Sequence, residues 1–161
     1  MLTQDRLKTV LDYNPETGIW IWKLHYFIRL VGERAGRRTT AGYRQIQIDG
    51  KLYYEHRLAF LYMLGRWPKE HVDHINGIKN KNEWTNLREA TRTENQYNKS
   101  YAKKNKLKIK GVHLNINGKY VAQLRINKEV FVIGRFDTLE EATKAYELKA
   151  KEVHNNFYYE R

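Results

Sequence analysis

The chain has 161 residues, which suits one ordinary domain or two small ones, and we expect two small units. Its 30 Lys and Arg residues outnumber 18 Asp and Glu residues, so the formal net charge is +12 and the pI is about 9.8. This excess indicates a polyanionic partner, with nucleic acid as the leading candidate. The absence of cysteine excludes disulfide bonds, thiol nucleophiles and thiolate zinc sites, so any metal must bind nitrogen and oxygen ligands.

A membrane surface is the alternative explanation for the basic charge. No apolar run approaches the roughly 20 residues that a spanning helix needs, and the first residues lack the apolar segment of a signal peptide. We therefore expect a soluble protein in the cytoplasm.

The first half of the chain has the turn signals of a small α+β unit. Gly and Pro residues, together with the hairpin dipeptide Asp49-Gly50, separate short patterned segments. In chain order these signals predict a helix capped by Thr3 and running through Leu11, a turn over residues 14–18, a strand over 19–23, a loop over 29–38, a hairpin over 42–54 and a buried helix over 56–67.

A basic segment over residues 99–110 separates two patterned regions. It carries six basic groups and no acidic one, and it has no clear apolar period, which indicates a linker. Lysines there, Lys103, Lys104 and Lys110 among them, could contact phosphate, which would strengthen DNA binding without specifying sequence. The alternative is a solvated spacer of like charge.

The last third of the chain predicts three strands followed by a helix. The strands cover residues 111–116, 119–126 and 130–136, with turns at Asn117-Gly118 and Asn127-Lys128. Thr138 and Glu141 form a capping box ahead of an apolar helical stripe that we assign to the core. The middle strand places on one face Tyr120, Ala122, Leu124 and Ile126, and on the other Val121, Gln123 and Arg125. One face can therefore pack, and the other can contact a partner.

Residues 72–98, V-D-H-I-N-G-I-K-N-K-N-E-W-T-N-L-R-E-A-T-R-T-E-N-Q-Y-N, carry the chemistry. They bring Asp73, His74, Asn86 and Asn95 into one short module. Hydrolysis of DNA needs a base that deprotonates water and a cation beside the departing oxygen, and a histidine with an oxygen-only metal site supplies both.

The same segment predicts a strand, a second strand and a helix opened by a capping box of Thr91 and Glu94. Adjacent side chains on an ideal strand point to opposite faces. Asp73 and His74 can therefore share a site only if the strand ends, twists or bulges at this point.

The segments H-R-L-A (56–59), V-D-H-I-N-G (72–77) and T-N-L-R-E-A-T-R-T-E-N (85–95) resemble the HNH family of ββα-metal endonucleases over roughly residues 53–99. The resemblance implies His74 as general base, Asp73 and Asn95 as ligands of one divalent cation, and Asn86 as the residue that orients the histidine ring. Asn95 stands where many relatives have histidine, as in H-N-N variants among phage-type homing nucleases. One carboxylate and one amide oxygen suit Mg²⁺ or Mn²⁺ and suit Zn²⁺ poorly. His56 could contact phosphate or could only fix the preceding hairpin to the helix.

The segments K-G-V-H-L-N-I-N-G-K-Y-V-A-Q-L-R (110–125) and V-I-G-R-F-D-T-L-E-E-A-T-K-A-Y (132–146) are similar to the AP2 DNA-binding domain over about residues 108–157. That family lays a three-stranded sheet in the major groove. The positions that match its DNA-contacting face are His113, Asn115, Gln123 and Arg125, with Lys110 and Lys119 alongside. Plant-type members have arginine at His113 and Asn115 and tryptophan at Asn117 and Val132, so no target sequence follows. Arg125 best suits guanine, whereas Gln123 and Asn115 suit adenine, and the alternative is a merely solvated polar face.

We therefore predict an α+β protein with three parts. Residues 1–98 form an N-terminal ββα-metal (HNH) nuclease domain with its core at about residues 70–99, residues 99–110 form a basic linker, and residues 111–161 form an AP2-like DNA-binding domain of three antiparallel strands and one packed helix. The predicted function is metal-dependent endonucleolytic hydrolysis of double-stranded DNA at a preferred site, using one Mg²⁺ or Mn²⁺ ion.

The resemblance extends to the N-terminal segments L-D-Y-N-P-E-T-G-I-W-I-W-K and G-Y-R-Q-I-Q-I-D-G-K-L-Y-Y-E-H-R-L, which are similar to phage HNH proteins. It implies a phage homing nuclease acting in the host cytoplasm. We expect a monomer, for which a nick is the simplest product. The alternative classes are a DNA-binding protein or regulator that does not cleave, and an RNA-binding accessory protein.

Overall fold

A computed structural model describes residues 1–24, 30–97, 105–126 and 129–154. The chain divides into two compact units, Met1–Arg92 and Thr93–Arg161. Within the described residues the fold is mixed α/β, with four α-helices and several small antiparallel sheets. The turn predicted at Asn127-Lys128 and the linker lysines Lys103 and Lys104 lie outside the described residues. In the described part of the chain, no helix combines the length and the apolar character needed to traverse a lipid bilayer.

The first unit begins with a helix and a hairpin. Helix α1 (Gln4–Val10) is capped by Thr3, whose side chain accepts a hydrogen bond from the Arg6 amide, as predicted. Strands β1 (Leu11–Asn14) and β2 (Ile19–Trp22) pair antiparallel across the predicted turn. Trp20 is fully buried, so this hairpin forms one wall of the core.

The second sheet of this unit leads directly into a helix. Strands β3 (Arg37–Arg38), β4 (Arg44–Ile48) and β5 (Lys51–Tyr54) form a three-stranded antiparallel sheet, with the predicted hairpin turn at Asp49-Gly50. Helix α2 (Glu55–Leu64) follows without a break and ends at Gly65, which adopts the left-handed conformation that favours glycine.

The prediction of a buried helix is wrong at the C-terminal end of α2. Leu58 and Phe60 are buried, but Met63 and Leu64 are 38% and 48% exposed. The helix ends earlier than predicted, because Gly65 terminates it before the segment reaches Trp67. Its buried face therefore belongs to the first two turns, next to β4 and β5.

A third hairpin completes the first unit. Strands β6 (His71–His74) and β7 (Leu87–Ala90) pair antiparallel, with a loop between them that closes in a 3₁₀ turn at Trp84–Asn86. Helix α3 (Arg92–Tyr97) follows in the chain. Val72 and Leu87 of this hairpin are buried in the same hydrophobic cluster as Trp20 and Leu58, which anchors the hairpin to the core.

The second unit contains a three-stranded sheet and a long helix. Strands β8 (Val112–Leu114), β9 (Tyr120–Ile126) and β10 (Glu129–Phe136) pair antiparallel with β9 in the centre, and helix α4 (Leu139–His154) packs on them. The predicted capping box is present: the Glu141 amide donates to the Thr138 hydroxyl, and the Thr138 amide donates to the Glu141 carboxylate. The small core consists of Val112, Ala122, Leu124, Ala142, Tyr146 and Ala150.

Candidate active site and nucleic-acid face

Buried polar side chains gather in the first unit. Among the described residues, the polar or charged side chains that are buried are Glu55, His56, Asp73, His74 and Asn82, each between 1% and 7% exposed. They come from the start of α2, the end of β6 and the loop before β7. Burial of such groups costs free energy unless they are hydrogen-bonded, so their concentration in one place marks a candidate functional site.

Asp73 and His74 are the last two residues of strand β6. The pairing with β7 is regular, with Asp73 opposite Arg88 and His74 opposite Leu87, so no bulge re-aims the side chains. His74 is the last residue of the strand. Burial lowers the pKa of His74, and the Asp73 carboxylate is among the groups that oppose this shift, which places its charge near the imidazole.

The amide that holds the His74 ring comes from Asn82. The His74 Nε2 and the Asn82 Oδ1 atoms are 3.0 Å apart and buried. The family resemblance implies that Asn86 orients this ring, and the Asn86 side chain forms its hydrogen bonds within the loop that joins β6 to β7. Its Oδ1 accepts from the Asn76 amide at 3.0 Å, and its Nδ2 donates to the Lys81 carbonyl at 2.7 Å. A catalytic role for Asn86 stays a prediction.

A line of hydrogen bonds extends from His74 into the unit. The Asn82 Nδ2 atom donates to Glu55 Oε2 at 2.9 Å, and the Arg44 Nε atom donates to Glu55 Oε1 at 2.9 Å. Arg44 is held in turn by the carbonyl oxygens of Ala35 and Gly36. Burial raises the pKa of Glu55, whereas the Arg44 guanidinium and the Asn82 amide oppose that rise.

His56 lies against His74 in an aromatic cluster. The two imidazole rings meet edge to face with centroids 5.2 Å apart, and the Tyr43 ring lies 5.3 Å from His56 and 6.1 Å from His74. Burial lowers the pKa of His56 to about 3, and electrostatic interactions with His74 and Arg57 act in the same direction. His56 is therefore neutral at physiological pH and packs beside the candidate base.

Asp73 is the carboxylate that could take part in metal binding. Arg88 donates to its Oδ2 atom from Nε at 2.9 Å and from Nη2 at 2.7 Å. Asn95, the second predicted ligand, lies on α3 in the second unit and is partly buried. No group of three or more His, Asp or Glu side chains in the described part of the chain could enclose a metal ion. The predicted pair of one carboxylate and one amide oxygen would leave most of the coordination of a divalent cation to water and phosphate oxygens.

The sheet of the second unit carries polar side chains among valines on the side away from its core, here called the polar sheet face. The register places His113 beside Val121, Val132 beside Gln123 and Val130 beside Arg125, so these side chains share one face. His113 and Arg125 are exposed and Gln123 is partly exposed. Val121 differs from the prediction, because it is buried although it lies on this outer face.

Two of the predicted DNA contacts have partners within the unit. The Asn115 Oδ1 atom accepts from the amides of Asn117 and Lys119, at 3.0 Å and 2.9 Å, and thereby closes the β8–β9 turn. The Lys119 ammonium forms an ion pair with Asp137. Lys110 lies partly buried just before β8.

Residues 53–97 match a family model described as HNH endonuclease. This match supports an HNH nuclease, that is, a hydrolase that acts on DNA, and it implies a divalent metal ion. A comparison with curated proteins gave no match, and neither did a comparison with solved structures. The matched segment contains α2, the β6–β7 hairpin and α3, and therefore all five buried polar residues of the site.

Sequence reasoning missed Asn82, Glu55 and Arg44. Asn82 stands in the run K-N-K-N-E, which has the composition of a solvated loop, and Glu55 stands at the start of a helix, where acidic residues are common anyway. The spacing of these residues carries no signal, because 27 positions separate Glu55 from its partner Asn82. Only the tertiary fold brings them together.

Proposed function

We propose that this protein is a metal-dependent endonuclease that hydrolyses phosphodiester bonds of double-stranded DNA, with His74 as general base. The observation that carries the proposal is the buried pair of Asp73 and His74 at the end of β6, with the His74 ring held by Asn82, inside the segment that matches HNH endonucleases. The homing setting in a phage follows from the sequence resemblance and is part of the same proposal.

His74 has the protonation state that a base needs. Burial lowers its pKa, so the imidazole is neutral near pH 7 and can accept a proton. In the proposed step, His74 takes a proton from water as the water oxygen bonds to phosphorus. The bond from phosphorus to the 3′ oxygen breaks, and the departing oxygen takes a proton from solvent. The hydrogen bond to Asn82 keeps the ring in place during this transfer.

Asp73 and Asn95 would hold the divalent cation, with waters and DNA phosphate oxygens as its other ligands. When bound, the ion supplies stabilisation of the negative charge on the 3′ oxygen. The Arg88 guanidinium neutralises the buried Asp73 carboxylate, so that burying this charge next to His74 is tolerated.

The second unit would select the site. Its outer sheet face exposes His113 and Arg125 and partly exposes Gln123, and arginine and glutamine can each form two hydrogen bonds to a base edge in the major groove. The basic residues 99–110 would add phosphate contacts. The family match covers residues 53–97 and so supports the nuclease, while the DNA-reading role of the sheet rests on its exposed polar face and on the sequence resemblance.

The test is cleavage of supercoiled plasmid by purified protein in Mg²⁺, Mn²⁺ or EDTA. The matched variants are His74→Ala and His71→Ala, because His71 lies on the same strand but is exposed. We expect metal-dependent nicking or linearisation that His74→Ala abolishes and His71→Ala retains. Cutting by His74→Ala would remove His74 from the role of base. DNA binding without cleavage, on a library of target sequences, would favour the DNA-binding protein that does not cleave.

A further inference from the structure

We propose that Asn82 and Glu55 are positioning residues that fix the tautomer of His74, with the proton on Nε2 and the basic lone pair on Nδ1. The proposal assigns a function to the buried line from Arg44 to His74. The effect on catalysis rests on the proposed role of His74 as base, but the tautomer of His74 can be measured without any cleavage.

Arg44 sets the direction of these hydrogen bonds, because a guanidinium has donors and no acceptor. Its Nε atom donates to Glu55 Oε1 at 2.9 Å, so that oxygen must accept. An ionised carboxylate can only accept, so Glu55 Oε2 must receive a hydrogen bond at 2.9 Å from the Nδ2 atom of Asn82. The remaining amide atom, Oδ1, then faces Nε2 of His74 at 3.0 Å and can only accept. His74 must therefore carry its proton on Nε2.

The line is enclosed, so its members cannot easily exchange partners with water. Glu55 and Asn82 are each 1% exposed. A methyl group at Gly36 would lie 2.6 Å from Glu55 Oε1, which shows how closely the backbone wraps the carboxylate. The Asn82 carbonyl oxygen accepts from the Tyr13 hydroxyl at 2.7 Å, which anchors the residue behind its side chain.

The charge of Glu55 decides the direction of the whole line. Burial raises the pKa of Glu55. A protonated Glu55 would donate a hydrogen bond to the Asn82 carbonyl oxygen, so the Asn82 amide would be rotated by half a turn and its N–H would face His74. The Arg44 guanidinium works against this arrangement by stabilising the ionised carboxylate. The two arrangements place the proton of His74 on different nitrogens, so a measurement of the tautomer separates them.

Glu55→Gln is the most informative substitution because it keeps the size of the side chain. The carbonyl oxygen of the new amide must face the donor Arg44, so its NH₂ group faces Asn82. Asn82 can satisfy that donor only by turning its amide over, which presents Nδ2 to His74. The expected result is a change of the His74 tautomer from protonated Nε2 to protonated Nδ1.

The tautomer can be read from the ¹⁵N chemical shifts of the imidazole nitrogens in metal-free protein at pH 7.5. The chain has six histidines, and the His74 signals are assigned by their loss in His74→Ala. Protonated Nε2 in the wild type and protonated Nδ1 in Glu55→Gln would support the proposal. Protonated Nδ1 in the wild type, or an unchanged tautomer in the variant, would overturn it. Glu89→Gln is the matched control, because it removes an ion pair with Arg66 and leaves the site intact.

A second variant covers the case in which Glu55→Gln does not fold. Asn82→Ala removes the amide, and we expect a mixture of both tautomers at His74. A single, unchanged tautomer in that variant would show that Asn82 does not fix the ring. Circular dichroism of each variant establishes that it is folded before its tautomer is compared.

Cleavage distinguishes this proposal from the proposed function. We expect single-turnover cleavage by Glu55→Gln to slow by about 100-fold or more while the Kd for DNA is unchanged, because the lone pair is on the wrong nitrogen. If the expected tautomers are observed but the wild type never cuts DNA, the proposed nuclease activity is refuted and the positioning role of Asn82 and Glu55 is retained. A wild type that cuts, with a Glu55→Gln variant that cuts equally fast, would refute the positioning role alone.

Discussion

Burial shifts the protonation of single residues in this protein, and His56 shows the effect most clearly. His56 is 7% exposed, and its Nδ1 atom has no hydrogen-bond partner among the described residues. A buried imidazole without a partner for its charge is held neutral, because protonation would place a cation in a poorly solvated position. This arrangement makes the stability of the first unit depend on pH.

The free energy of unfolding should decrease as the pH falls, and part of this decrease should come from His56. The unfolded imidazole takes up a proton near pH 6.5, whereas the folded one does so only near pH 3. The contribution of His56 is complete above pH 6.5 and is lost as the pH falls, because the unfolded state binds more protons. Relative to His56→Phe, the wild type should lose about 2 kcal/mol of unfolding free energy between pH 7 and pH 5.

Tryptophan fluorescence in urea provides the measurement, because all four tryptophans lie between residues 20 and 84 and so report on the first unit. The difference between wild type and His56→Phe is followed at several pH values. His71→Gln, which changes an exposed histidine, is the control. A difference that stays constant between pH 7 and pH 5 would show that His56 is not held neutral.

At the scale of elements, the first hairpin supports the loop that carries Asn82. The Tyr13 hydroxyl donates to the Asn82 carbonyl at 2.7 Å, and the Trp84 amide donates to the Pro15 carbonyl at 2.8 Å. Gly18, in the β1–β2 turn, has a φ of +67°, and a methyl group there would lie 2.3 Å from the Asn82 carbonyl carbon. The turn can approach the loop this closely only with glycine.

Gly18→Ala should therefore destabilise the first unit more than Gly50→Ala. Both glycines have positive φ, +67° and +77°, but nothing lies within 4 Å of a methyl group at Gly50. Gly50→Ala should cost about 1–2 kcal/mol for the left-handed backbone, and Gly18→Ala should add about 1–3 kcal/mol for the overlap with the loop. Urea unfolding followed by tryptophan fluorescence compares the two. Equal losses would mean that the contact at Asn82 relaxes without cost.

Local signals predicted most of the elements but not how they meet. Asp49-Gly50 and the capping box of Thr138 and Glu141 specify their turn and helix through nearest neighbours, and the structure confirms both. The burial of α2 was overestimated, because apolar composition does not show which turns a neighbouring sheet covers. For the candidate site, Asp73 and His74 could be predicted together because they are adjacent in the sequence. The family resemblance names Asn86 as the residue that orients His74, whereas the side chain that contacts His74 Nε2 is that of Asn82, which no local signal distinguishes from other loop asparagines.

At the scale of the whole molecule, charge is distributed unevenly along the chain. Residues 99–110 carry six lysines and no acidic residue, which is half of the net charge of +12. The polar sheet face of the second unit lies on residues that follow this segment. Under the proposed function, general attraction to phosphate and selection among base pairs would reside on different residues, and substitutions can separate them.

Lys106→Ala and Arg125→Ala should affect DNA binding in different ways. Both side chains are exposed, but Lys106 belongs to the basic segment and Arg125 to the polar sheet face. Lys106→Ala should weaken binding to every duplex alike and reduce the slope of log K against log salt by about 0.9, because one phosphate contact is lost. Arg125→Ala should instead reduce the preference for the cleaved site over a scrambled duplex by about 10-fold or more, because a bidentate contact with one base is worth about 1–3 kcal/mol.

Fluorescence anisotropy in EDTA, over a series of salt concentrations and with both duplexes, measures the two effects together. A preference that survives Arg125→Ala, or one that Lys106→Ala removes, would place the selection of the site elsewhere in the chain.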